Sequence, residues 1–127
     1  MNRYGLLITR VGLSGVLLWF GAQQLMHAAD WIGYIPELAL SVSGLEAKTL
    51  VLLNGSAEVA SGVMLLLGLY ARFVAFAMGA HLVLIAASLG NSAVAVRDWG
   101  LAFAFFGLVL SGPGALALDS DDRPLRM

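Results

Sequence analysis

Any chemistry in this chain has to be argued from Glu58, Asn54, His81 and the pair Arg97-Asp98, because these ionisable and carboxamide groups stand inside or beside apolar runs. Glu58 and Asn54 lie near the centre of residues 50–69, LVLLNGSAEVASGVMLLLGL. That run is long enough to cross a bilayer, which takes about 20 mostly apolar residues. A charge at mid-depth costs roughly 2.5 to 3.5 kcal/mol on insertion scales, so it faces a partner or a wet cavity. An imidazole, a guanidinium, a carboxamide and two carboxyls can together donate, accept and pass on protons at membrane depth. The helices must bring them to one place.

The composition names the setting. Of 127 residues, 60% are hydrophobic and 12% charged, with a mean hydropathy of +0.87. Four apolar runs leave too little polar surface for a water-soluble bundle, and the chain reads as one all-α integral membrane domain, 1–127. A net charge of -1 lacks the basic footprint of nucleic-acid binding. Zero cysteines exclude disulfides, thiolate metal sites and iron-sulfur ligation within this chain. The two histidines, His27 and His81, differ in depth by about 15 Å of helical rise, so a bis-histidine haem is not expected. No metal site is expected, and no residue is singled out as catalytic.

Spans are expected at roughly 6–26, 49–69, 73–90 and 98–112. The first has the outline of a signal peptide, with His27-Ala28-Ala29 after it, but Arg10 interrupts the run and it reads as a retained helix. Arg10, Ser14, Leu17, Gly21 and Gln24 recur at spacings of 4, 3, 4 and 3, one helix face. Arg10 and Gln24 are additional candidates on that stripe, with Arg10 expected to snorkel toward the nearer membrane surface. Residues 28–48 are mixed; Trp31 and Tyr34 suit an interface, and residues 36–42 can form a short surface helix with Pro36 at its first position or a simple loop.

On the second span Asn54, Glu58 and Ser61 share a face with Gly55 and Gly62 at their side, as small residues do where helices approach closely in lipid. Tyr70, Ala71 and Arg72 make a tight turn into the third span. Glu58 lies about 11 residues before that turn and His81 about 8 residues into the next helix, which matches their depths. Arg97 shares a face of the fourth span with Gly100, Ala104, Gly107 and Ser111, and Pro113 should end or kink that helix. Arg3, Arg10, Arg72, Arg123 and Arg126 fall on the side of the termini, against Lys48 and Arg97 opposite. This bias puts both termini in the cytoplasm.

The sequence resembles the DoxX family of small four-helix membrane proteins. The resemblance is carried by RVGLSGVLLWFG at 10–21, Asn54-Gly55 with Glu58, LLLGLYAR at 65–72, His81, Arg97-Asp98-Trp99-Gly100-Leu101 opening the fourth helix, and SGPGALALD at 111–119. Residues 28–48 carry no part of it. The resemblance implies a multi-pass bundle in the bacterial inner membrane, in a family whose named members are membrane partners of sulfur- and thiosulfate-linked quinone oxidoreductases. By similarity Asn54, Glu58, His81, Arg97 and Asp98 form the polar core.

Three readings follow. A quinone head group accepts hydrogen bonds and consumes protons on reduction, so Asn54, His81 and Arg97 would donate to it while Glu58 or Asp98 relays protons. The chain would then be an accessory membrane subunit of an oxidoreductase with no cofactor of its own, a quinone as bound ligand, and lipid, an oxidoreductase subunit or a second copy of itself as partners. Alternatively, Glu58 with Arg97, His81 or Arg10, closed by Asn54, only locks a scaffold together through bonds worth about 0.6 to 2 kcal/mol each. The third reading is a small-solute or proton transporter, although past Ser61 the second span offers only apolar residues. A cavity beside Glu58 and His81 large enough for a ring would favour the first.

Overall fold

The computed structural model describes residues 3–35 and 37–117. Pro36, Asp119, the charged tail 119–127 and, within it, Arg123 and Arg126 lie outside the described residues. The described chain forms α1 (Arg3–Met26), a 3-10 helix (Ala28–Tyr34), α2 (Glu37–Ser43), α3 (Ala47–Leu67), α4 (Ala71–Leu89) and α5 (Ala93–Ser111), with no strand among the described residues. The helices α1, α3, α4 and α5 are long and apolar enough to cross a membrane. Their outward faces carry Ile8, Phe73, Phe76, Leu84 and Phe103, each more than half exposed, which only lipid can cover at acceptable cost. The protein is a multi-pass membrane bundle.

The helices depart from the expected spans by up to five residues at their ends, and two of these differences have clear local reasons. The helix α3 stops at Leu67 because Gly68 takes a left-handed conformation (φ 71°), which costs glycine no Cβ clash. The Gly68 N–H then donates to the Leu65 carbonyl and the Leu69 N–H to the Met64 carbonyl, the paired bonds of a Schellman cap. Ala71 and Arg72 therefore already belong to α4. The helix α5 begins at Ala93 rather than near residue 98, because the Ser92 hydroxyl accepts from the Ala95 N–H at 3.1 Å and caps it. Arg97 and Asp98 thus lie a full turn inside the helix and do not open it.

The bundle is two tight pairs, α1 against α3 and α4 against α5, which meet each other sparsely. Small residues make the first pair. A Cβ added at Gly21 would come within 2.9 Å of the Gly55 carbonyl and the Val59 nitrogen, and one at Gly55 within 3.0 Å of the Gly21 carbonyl, so these backbones nearly touch. In the second pair the Phe106 ring fills the space over Gly79. The expected α1 stripe, Arg10 through Gln24, is entirely buried. On α5 the buried face is instead Ala95, Asp98, Ala102, Phe105 and Leu108. Gly100 and Gly107, on the small-residue face expected with Arg97, are exposed.

Candidate functional site

At the end of the bundle away from the termini, the first pair of helices contributes Gln24, Asn54 and Glu58, and the second contributes His81, Arg97 and Asp98. Gln24 comes from the last turn of α1, and α3 presents Asn54 and Glu58 one turn apart. The Gln24 Nε2 donates to Glu58 Oε2 at 2.8 Å and to the Phe20 carbonyl at 3.2 Å. The Asn54 Nδ2 donates to Gln24 Oε1 at 2.6 Å and to Glu58 Oε1 at 3.2 Å. His81 Nε2 meets Asn54 Oδ1 at 2.5 Å. This last bond spans the gap between the two helix pairs.

Backbone chemistry sets the direction of every link. The Phe20 carbonyl can only accept, so the Gln24 amide nitrogen must face it and its oxygen must face Asn54. Asn54 then turns its nitrogen to Gln24 and Glu58 and its oxygen to His81. The imidazole therefore carries its proton on Nε2 and donates it to Asn54. Both amide nitrogens have used both of their hydrogens inside the network.

Asp98, only 2% exposed, takes the other side of the site, and its Oδ1 accepts from Nε and Nη2 of Arg97 at 3.1 and 3.0 Å. The Arg97 guanidinium also stacks 4.4 Å from the centre of the Phe20 ring, a favourable placement of a cation on a π face. Phe20 in turn meets Trp31 edge to face at 5.6 Å. The ring contacts thus tie α5 to α1 and to the 3-10 helix.

Between these groups lies a cavity of about 650 Å³, within the usual range for small-molecule sites of about 300 to 1,000 Å³. Its polar wall is Gln24, Asn54, Glu58, His81, Arg97 and Asp98; Leu17, Leu82, Leu101 and Phe105 form an apolar floor and sides. The 3-10 helix and α2 roof it with Trp31, Tyr34, Leu38 and Val42. The helix α2 buries none of its residues. Leu53 of α3 and Leu84 of α4 line the cavity while being 55% and 71% exposed, so the cavity opens between α3 and α4 toward the surface that faces lipid.

All five core candidates and Gln24 thus converge, but not as the sequence pairs them. Glu58 receives its hydrogen bonds from two carboxamides, His81 reaches it through Asn54, and Arg97 is bound to its neighbour Asp98. Arg10 is elsewhere, about 21 Å from Gln24 along α1, and it does not snorkel. Only 1% exposed, it donates from Nη2 to the carbonyls of Ala115 and Leu116 at 3.0 and 3.1 Å. Those acceptors belong to chain that folds back after α5, and no helical periodicity reports them. Of the two alternatives for residues 36–42, the short helix is the one that forms, as α2 (Glu37–Ser43); that it and the aromatic pair Trp31 and Tyr34 roof the cavity was not foreseen, since residues 28–48 carry no motif.

Residues 5–91 match the family model of DoxX. No curated protein and no solved structure matches the chain significantly.

Proposed function

The chain belongs to the DoxX family, and from that premise and the cavity we propose that it is an accessory membrane subunit of an oxidoreductase system that holds a quinone or similar small amphipathic ligand between its two helix pairs. The observation that carries this reading is the cavity of about 650 Å³ with one polar wall, apolar sides and an opening toward lipid. A lock that served only to join helices would have no need of such a space. A ring enters from the bilayer between Leu53 and Leu84, keeps any tail in lipid, and brings its oxygens to the wall formed by His81, Glu58 and Asp98. The charge bias of the loops supports termini on the cytoplasmic side, and the family resemblance supports a bacterial inner membrane, which on this reading puts the cavity in the opposite leaflet. The redox cofactor belongs to the partner subunit.

The test is titration of the purified protein in lipid nanodiscs with a short-tailed benzoquinone in each redox form. Saturable binding of either form is expected, weakened at least about tenfold, the equivalent of one lost polar contact, in Glu58→Gln and His81→Ala variants that keep their helical circular dichroism. Binding unchanged in both variants would sink the proposal in favour of the scaffold reading.

A further inference from the structure

We propose that the inner wall of this cavity is built to accept a hydrogen bond from its ligand, so that the site selects a ring hydroxyl, as in a hydroquinone, over the corresponding carbonyl. The inference rests on the ligand-site reading above and deepens it. Both hydrogens of the Gln24 amide go to the Phe20 carbonyl and Glu58, both of Asn54 go to Gln24 and Glu58, and the Nε2 proton of His81 goes to Asn54. No donor on those three side chains is left for a ligand. What they leave is an acceptor, the Nδ1 lone pair of His81. Asp98 adds Oδ2, since its Oδ1 takes both bonds from Arg97. His81, Glu58 and Asp98 all line the cavity.

A carbonyl brought against this wall meets lone pairs. A hydroxyl donates to one of them. The remaining donors that line the cavity are Arg97, held against Asp98, and Trp31 and Tyr34 on the 3-10 helix that roofs it; the roof donors suit an oxygen on the far side of the same ring. A site that hydrogen-bonds a ligand hydroxyl rejects the analogue lacking it because its own polar groups are then left unpaired. This reverses the roles expected for Asn54 and His81, which the sequence casts as donors to a quinone.

The experiment compares a decyl-benzoquinone with its hydroquinone, held reduced under anaerobic conditions, on the intact protein in nanodiscs. Roughly tenfold tighter binding of the hydroquinone is expected, and His81→Phe should bring the two forms close together. A quinone that binds as tightly or more tightly overturns the inference while leaving the ligand site standing; if neither form binds, the ligand site itself falls. A second measurement does not depend on any variant. Nitrogen-15 histidine spectra, simple in a chain with two histidines, should show His81 protonated on Nε2 alone, with the Nδ1 resonance moving when hydroquinone is added. Protonation of Nδ1 in the free protein would also overturn it.

Discussion

The molecule buries polar side chains in two places, and they are opposites. At the end with the termini, Arg10 is sealed: it bonds the Ala115 and Leu116 carbonyls, its own carbonyl accepts from the Ser14 hydroxyl at 2.7 Å, and the left-handed Gly68 packs so closely that an added Cβ would lie 2.6 Å from Nη1. The chain is further tied there by the Ala115 N–H donating to the Arg3 carbonyl at 3.1 Å. At the other end, Gln24, Asn54, Glu58 and His81 form an equally ordered chain of bonds, but one side of it faces a cavity. Burial of a charged or polar group therefore does not distinguish a fastening from a site. The distinguishing feature is whether its unused hydrogen-bonding capacity points into space that a ligand can fill.

Substitutions can break this contrast, and the largest effect should come from the sealed end. Arg10→Leu strips two carbonyls of a charged donor and should cost roughly 2 to 4 kcal/mol of stability, read as a lower midpoint in denaturant unfolding in detergent, while ligand affinity in the folded fraction stays unchanged. A loss of affinity with no loss of stability would mean that the two ends have been assigned the wrong way round. Gly21→Ala should cost somewhat less, about 1 to 3 kcal/mol by overpacking. Its Cβ meets backbone and Val59 that can move only if α1 and α3 part, and because that pair carries Gln24, Asn54 and Glu58, affinity should fall with stability. The smallest change in stability, under about 0.5 kcal/mol, is expected for Leu38→Ser with Val42→Ser. Those side chains are exposed on a helix that buries nothing, so their effect should appear only in ligand binding. Measurable destabilisation would show that α2 is a structural part of the bundle.

Much of this architecture is legible in the residues alone. Four spans follow from hydrophobic runs of the right length, and the inward faces of α1 and α3 follow from spacings of 3 and 4, since a helix returns to the same side every 3.6 residues. Arg10 to Gln24 on one helix and Asn54 to Glu58 on the other were thus placed correctly before any neighbour was known. Matched depth across the hairpin likewise brought His81 toward Glu58.

What periodicity cannot supply is the partner. Adjacent residues on a helix point about 100° apart, so whether Arg97 or Asp98 turns inward depended on what α4 and α1 present to α5. The structure turned Asp98 in and stacked Arg97 on Phe20. The fate of Arg10 was decided by the irregular chain after Ser111, whose free carbonyls no pattern of side chains announces. The directions of the bonds around Glu58 were decided by a single backbone oxygen, that of Phe20. The sequence by itself determined that Glu58 had to have company inside the membrane; only tertiary packing decided that this company would be two carboxamides, with His81 reaching it through Asn54.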